Sequence, residues 1–298
     1  MNYHEPVLLK ESIDGLQISN DGIYVDVTFG GGGHSKEILR RLGDNGKLIA
    51  FDQDKDSLNN SINDKRFQLI NQNFMYLSKY LNIIGIQKVD GILADFGISS
   101  HQIDKPERGF SIRFDGDLDM RMNQDSELTA KYIINNYSFE NLRKVFFEFG
   151  ELRLSSLISR KIVESRLLKE ISTTSEFNKL LNSFLPKKRI NKILSQVYQA
   201  LRIEVNQELD VIKSFLKQTE NVLKSNGRLS VISYHSLEDR LVKRYIRNGL
   251  FKGDPEKDVF GNVKVPFSKV GKLITPTNSE ISNNNRARSA KLRIAKKN

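Results

Sequence analysis

A strand that runs into four consecutive glycines and then into a helix leaves few folds open. Residues Ile23 to Val27 form a mostly apolar run, Thr28 and Phe29 follow, and Gly30 to Gly33 lead into a segment of helical spacing. Four residues without Cβ atoms let the backbone turn sharply and let a ligand lie directly on its N–H groups. About twenty residues on, the apolar run Leu48 to Phe51 ends in Asp52, a carboxylate at the C-terminal end of a second strand that could accept both ribose hydroxyls. Loop and acid together suggest a cofactor that carries adenosine.

The spacing narrows the choice. A dinucleotide fingerprint opened at Gly30 needs glycine or alanine at position 35, which is Ser35, and one opened at Gly31 needs it at position 36, which is Lys36. NAD is therefore the weaker alternative. An acid four residues before the first glycine, Asp26 before Gly30, instead resembles the loop with which class I methyltransferases bind S-adenosylmethionine (SAM), a cofactor without phosphate.

At 298 residues the chain can bury a sizeable core and hold one large domain, or one domain carrying an insertion. It has no cysteine, which excludes disulfides, thiolate metal sites and the cysteine adduct used in methylation at cytosine C5. The histidines His4, His34, His101 and His235 are too scattered for a zinc spacing, so no metal is expected. No apolar run is long enough to span a bilayer and the start lacks the basic and apolar regions of a signal peptide, so the expected location is the cytoplasm. The net charge of +11 is one-sided: residues 1–239 hold 32 Lys+Arg against 32 Asp+Glu, whereas residues 240–298 hold 15 against 4. A polyanion, RNA or DNA, should dock on the last fifth of the chain.

Ser35 to Leu42 has helical spacing and stops at Gly43, with Asn45-Gly46 as the turn into the second strand. Asp54 and Ser57 open another helix, Phe67 to Ile70 is a short strand, and Phe74 after it could cover an adenine ring or fill the core. Val89 to Ala94 is an apolar strand ending at Asp95-Phe96-Gly97. Alternating strands and helices imply a doubly wound, mostly parallel sheet, with ligands beyond the carboxyl ends of the strands, where Asp26, Asp52 and Asp95 all lie. Ser99 to Met122 is polar and glycine-punctuated, an expected binding loop with more apolar residues than a solvated linker needs. From Glu127 to Leu185 only helical stripes occur, with Ser138 and Ser175 as expected N-caps. Charge over residues 113–191 is 14 positive against 11 negative, so the main nucleic-acid surface is not expected there. A long helical stretch runs from Ile190 to Leu223, a strand from Leu229 to Ile232 ends near His235, and residues 249–285 read as loop-rich. Ala290, Leu292 and Ile294 alternate with Ser289, Lys291 and Arg293 in a last strand with one basic face.

Taken together, these segments resemble the bacterial 16S rRNA cytosine-N4 methyltransferase family (RsmH, formerly MraW) nearly end to end. The resemblance is carried by His4-Glu5-Pro6-Val7-Leu8-Leu9, the loop from Asp26 to Ser35, Asp95-Phe96-Gly97-Ile98-Ser99-Ser100, Arg108-Gly109-Phe110-Ser111, Leu118-Asp119-Met120-Arg121-Met122, Gln199-Ala200-Leu201-Arg202-Ile203 and Ser236-Leu237-Glu238-Asp239-Arg240. It implies a class I SAM-dependent methyltransferase fold over residues 1–112 and 192–298, interrupted by an all-helical insertion at 113–191. It implies SAM contacts from Gly32, Gly33, His34, Asp52, Phe74, Asp95 and Gln102. The chain departs from the family at Gly31, where many relatives carry a larger residue, and at Leu185-Pro186-Lys187-Lys188.

The implied reaction is methylation of N4 of cytidine 1402 in the decoding centre of 16S rRNA, on the small ribosomal subunit. Asp95, or a carbonyl of residues 95–97, is the expected acceptor for the amine, and His235, at another strand end, is a weaker catalytic candidate. Phe110, Tyr234 and Arg108 are candidates for the plane beneath an unstacked base. Basic side chains of residues 240–298, among them Arg240, Lys243, Arg244, Arg286, Arg288, Lys291 and Arg293, are the expected RNA contacts, and a homodimer is compatible with this reading. The alternatives are an amino-methyltransferase acting on another nucleic acid and a non-catalytic ribosome-assembly factor.

Overall fold

Apolar runs bounded by turns form strands when both faces of a sheet are covered, and among the described residues the chain builds seven strands, most of them of this kind. The computed structural model describes residues 6–261 and 263–298, so His4 and Glu5 of the opening motif lie outside the described residues. The strands are β1 (Ile23–Asp26), β2 (Lys47–Phe51), β3 (Phe67–Ile70), β4 (Val89–Asp95), β5 (Leu223–Ser233), β6 (Phe267–Ile274) and β7 (Lys291–Lys297). Among the described residues the α-helices are α1 (Leu9–Leu16), α2 (Gly33–Arg41), α3 (Leu77–Ile83), α4 (Ser100–Asp104), α5 (Ala130–Asn136), α6 (Phe139–Glu148), α7 (Ser155–Arg166), α8 (Thr174–Phe184), α9 (Ile190–Asn206), α10 (Glu208–Val222), α11 (Ser236–Asn248) and α12 (Asn278–Asn283). None is long and apolar enough to cross a membrane.

The sheet order is β3-β2-β1-β4-β5-β7-β6. Strands β1 to β5 pair in parallel, and β7 lies antiparallel between β5 and β6. The chain winds outward from β1 through β2 to β3, then returns to place β4 on the other side of β1. That reversal is the switch point at which doubly wound sheets bind ligands. Register aligns the three acids: Asp26 lies opposite Ala50 and Leu93, each two residues short of Asp52 and Asp95. All three therefore stand within about 7 Å of one level along the strands.

Two compact units result, one of Met1–Gly97 with Leu209–Asn298, the other of Ile98–Glu208. In the first, side chains alternate across the sheet. Val25, Val27, Ile49 and Phe51 pack with Phe215, Leu216 and Tyr245, while Tyr24, Leu48 and Leu93 pack with Ile13, Leu16 and Ile38. The second unit is helical around Ile133, Phe146, Ile158, Phe177 and Leu201. Its single core also takes in Phe110 before residue 113 and Leu194 to Val205 after residue 191. Residues 99–122 are only partly irregular: α4 and a 3₁₀ turn at Pro106–Arg108 precede a tight corner at Gly109, with φ +71°. A Cβ at Gly109 would stand 2.2 Å from the Asp117 carbonyl oxygen.

Several local expectations are corrected. Ser138 caps α6, but α8 is capped by Thr173, two residues before Ser175, in a capping box with Glu176. The long helical stretch breaks at Gln207, whose φ of +50° separates α9 from α10. Strand β5 starts at Leu223 rather than Leu229 and crosses a register shift opposite Val89–Gly91. Residues 249–285 contain β6 and α12. Leu185 to Lys188 leaves α8 through a buried leucine into a 3₁₀ turn, Lys187–Arg189, that leads directly into α9.

Candidate cofactor and active site

Strand β1 delivers Asp26 into the interior, where it is only 1 % exposed. Its Oδ2 accepts a hydrogen bond from the Ser35 hydroxyl at 2.7 Å and its Oδ1 one from the Thr28 N–H at 3.1 Å. Asp26 thus ties the end of the strand to the first turn of α2. Burial pushes its carboxyl upward, with His34 and Ser35 opposing that shift.

The glycine loop spans this latch. Gly30 and Gly32 have φ of +51° and +75°, and a Cβ at Gly30 would enter open space. The Gly30 N–H donates to Asp52 Oδ2 at 2.7 Å, and the Asp54 N–H donates to Oδ1 at 2.9 Å. Backbone donors therefore orient both oxygens of Asp52 and leave further lone pairs on each. Burial pushes its carboxyl up to about 6, opposed by those same two N–H groups. Gly33 is held for a different reason, since a Cβ there would meet the Pro6 ring at 2.2 Å.

Asp95 closes the group. Its backbone N–H donates to the Thr28 hydroxyl at 2.7 Å, and its Oδ1 accepts the Tyr234 hydroxyl at 2.9 Å. Its Oδ2 lies 4.0 Å from His34 Nδ1, and its side chain keeps 22 % of its surface exposed. Burial raises this carboxyl to about 6, with His34 and Tyr234 opposing. His34 itself is buried, with Nε2 3.2 Å from the Val7 carbonyl oxygen. Phe74 stacks on Phe96 with ring centres 5.9 Å apart and meets Phe215 edge-on at 5.3 Å, so one flank is core while the ring stays partly exposed.

The sheet unit thus gathers Gly32, Gly33, His34, Asp52 and Asp95 into one group, linked by Thr28, Ser35 and Tyr234. Gln102 belongs to the helical unit, where its N–H donates to Ser99 Oγ and its Oε1 accepts the Ser99 N–H in a capping box of α4. His235 caps α11: its Nδ1 faces the Glu238 N–H at 3.4 Å, and Glu238 accepts the N–H groups of Tyr234 and His235. The three aromatic and arginine candidates separate. Phe110 and Arg108 are buried in the helical unit, Arg108 donating to the carbonyls of Arg121 and Met122, whereas Tyr234 is half-buried beside Asp95.

Sequence reasoning missed Thr28 and Ser35 as linkers, although their hydroxyls flank the glycine run and were the available signal. The Tyr234–Asp95 contact joins residues 139 positions apart and had no local signal. The basic C-terminal region also divides. Asp239 engages Arg293 at 2.7 Å and Lys291 at 3.5 Å, and Arg244 donates to the Gly253 carbonyl, while Lys243 and Arg288 are exposed.

The sequence matches the MraW methylase family over residues 1–298. It is 61 % identical over 297 residues to ribosomal RNA small subunit methyltransferase H of Flavobacterium johnsoniae, covering 100 % of this chain and 98 % of that one. It is 62 % identical over 297 residues to the protein of the same name from Christiangramia forsetii, again covering 100 % and 98 %. Among solved structures, a putative rRNA methylase from Clostridium thermocellum aligns over 98 % of both chains with a TM-score of 0.46 and 12 % identity. The strand-end acids and the glycine loop therefore sit in a chain that belongs to the MraW methylase family.

Proposed function

We propose that this protein transfers the methyl group of SAM to N4 of a cytidine in 16S rRNA, the cytidine 1402 that the family resemblance implies, on the small ribosomal subunit in the cytoplasm. The observation that carries this reading is the Asp52–Gly30 and Asp95–Tyr234 pair of contacts at the switch point of the sheet. The residues fit such a cofactor. Gly30 faces open space, and Asp52 is a desolvated carboxylate with acceptor capacity left for ribose hydroxyls. In this reading the loop backbone at Gly32, Gly33 and His34 carries the cofactor, Asp52 orients the ribose, and the exposed edge of Phe74 covers the adenine. When bound, SAM supplies an electrophilic methyl group on a sulfonium.

The remaining chemistry belongs to the protein. An exocyclic cytosine amine is a poor nucleophile because its lone pair is delocalised into the ring, so holding it in line supplies much of the catalysis. Asp95 accepts a hydrogen bond from the amine, stabilises the positive charge that develops on it, and then takes the proton released. A carboxyl raised to about 6 is ionised at neutral pH, and is a better proton acceptor than an ordinary aspartate. Tyr234 holds Asp95 Oδ1 in place. His235, used as a helix cap, is given no chemical step.

The test is incubation of the purified protein and labelled SAM with small subunits from cells that lack the endogenous enzyme, followed by digestion and nucleoside identification. N4-methylcytidine at a single site is the expected product. Cofactor binding without transfer to the subunit would redirect the search to another nucleic acid or to an assembly role, and no cofactor binding would end the reading.

A further inference from the structure

Helix α11 and the edge strand β6 enclose a groove of about 440 Å³ in the sheet unit, a volume suited to a nucleotide. Lys243 and Arg247 line it from the helix, Lys269 and Lys272 from the strand, and Phe267 and Leu273 contribute to an apolar floor. Among the described residues no acidic side chain lines it. Arg293, which also reaches the groove, is already engaged by Asp239, but Lys243, Lys269 and Lys272 make no ion pair among the described residues.

The local geometry brings these groups together at a cost. Val270 pairs with Ile294, but Ile274 pairs with Leu292, so four steps of β6 span two of β7. This bulge, with φ of +65° at Gly271, takes Lys272 and Leu273 out of the ladder. Lysines on an edge strand also discourage pairing with other chains, which would account for Lys269 and Lys272 alone. It does not account for Lys243 and Arg247, like charges one helical turn apart on α11 that mildly oppose each other across the same groove. Cations from two elements beside the exposed apolar side chain of Leu273 suit a single strand, whose phosphates meet the charges while an unpaired base covers the apolar surface. A duplex presents phosphates but no free base face.

We infer that this groove binds a single-stranded RNA segment flanking the target nucleotide, through its phosphates and one base. The inference rests on the reading of the protein as an rRNA methyltransferase. Strand β6 lies four strand spacings from β1, roughly 19 Å, so the groove is separate from the cofactor loop and would hold neighbouring nucleotides, not the reacting one.

The test titrates a labelled single-stranded RNA ten-mer, and a duplex of the same length, against the full-length protein over a range of salt. The proteins compared are the wild type, Lys269→Glu/Lys272→Glu, Leu273→Ala, and a control pair of exposed lysines in the helical unit, Lys179→Glu/Lys192→Glu. The groove double variant should bind the single strand at least tenfold more weakly, with the log–log salt slope reduced by about 0.7 for each phosphate that is no longer neutralised. Leu273→Ala should weaken single-strand binding without changing that slope. On small subunits the double variant should raise KM tenfold while kcat and cofactor affinity stay unchanged. An unchanged slope and KM, or an equal effect from the control pair, would overturn the inference. Absence of methyl transfer by the wild type would overturn the proposed function instead, and the ten-mer titration would still decide whether the groove binds RNA.

Discussion

Replacing Asp52 by asparagine tests the cofactor site through protons as well as affinity. The Gly30 and Asp54 N–H groups hold the two oxygens of Asp52 at 2.7 and 2.9 Å, and burial raises its carboxyl to about 6. Hydroxyl donors bind the ionised form, so cofactor affinity should rise with pH through 6 and level off above 7. At pH 6 about half of a group with that pKa is protonated, and binding should release about half a proton from Asp52. Asp95, also raised to about 6, should contribute a similar amount when a cationic ligand settles beside it. Isothermal calorimetry at pH 6 in two buffers of different ionisation enthalpy should therefore report release of up to about one proton, falling almost to zero at pH 8. Asp52→Asn should halve the release and weaken SAM binding by about 1.5–3 kcal/mol, the worth of a hydrogen bond to a charged group. That corresponds to roughly 10- to 150-fold in Kd. A variant that keeps wild-type affinity and wild-type proton release would refute the assignment of the ribose to Asp52.

The remaining predictions concern catalysis and fold. Asp95→Ala should lower turnover by at least about 100-fold, in line with loss of an acid–base group, while cofactor affinity changes much less; equal losses in both would leave Asp95 as a cofactor ligand only. Tyr234→Phe removes the hydroxyl that favours the ionised form of Asp95, so the acid limb of the pH–rate profile should move to higher pH, and a limb that stays put would separate Tyr234 from the reaction. Thr173→Ala should cost about 1 kcal/mol in chemical denaturation whereas Ser175→Ala should cost almost nothing, and the reverse order would contradict the observed capping box. Gly109→Ala should lose more than about 1 kcal/mol, because it combines a left-handed backbone with a Cβ pressed on the Asp117 carbonyl, and wild-type stability would show that the corner can relax.

Legibility followed burial. Strands β1, β2 and β4 could be read almost to the residue because parallel strands covered on both faces are continuous apolar runs, and the edge strand β3, with only Ile70 buried, was legible from its apolar composition. Strand β6 has only Phe267 buried among its eight residues, and its lysines and Gly271 carry no alternation, so it read as loop. The α8 cap was open to a closer reading: Thr173 has an acid three positions on at Glu176, whereas Ser175 has Asn178 there. The placement of Asp26, Asp52 and Asp95 was legible because each closes an apolar strand. Their contacts were opaque where the partner comes from far along the chain, as Tyr234 does for Asp95, because a pairing between distant segments leaves no trace in local spacing. Phe110 and Arg108 misled for the opposite reason, since a buried aromatic with a stacked arginine at 6.0 Å has the same composition as a base-binding plane.

The placement of the helical unit within the chain bears on how the protein folds. Partners in the β4–β5 ladder, such as Asp95 and Ile232, are more than 130 residues apart. Closing an unstructured loop of that length costs roughly 4 kcal/mol in chain entropy before any strand contact repays it. The intervening residues have a core of their own, in which Ile98 from one end and Val205 from the other pack against the same cluster. Once that cluster condenses, the long loop becomes a short one. Helices with near neighbours for partners form fast and distant parallel strands form slowly, so the helical unit should gain hydrogen-exchange protection first, with β5 joining β4 afterwards. The catalytic sheet would then be the last part of the molecule to be completed, assembled on a splint that contributes none of its strands.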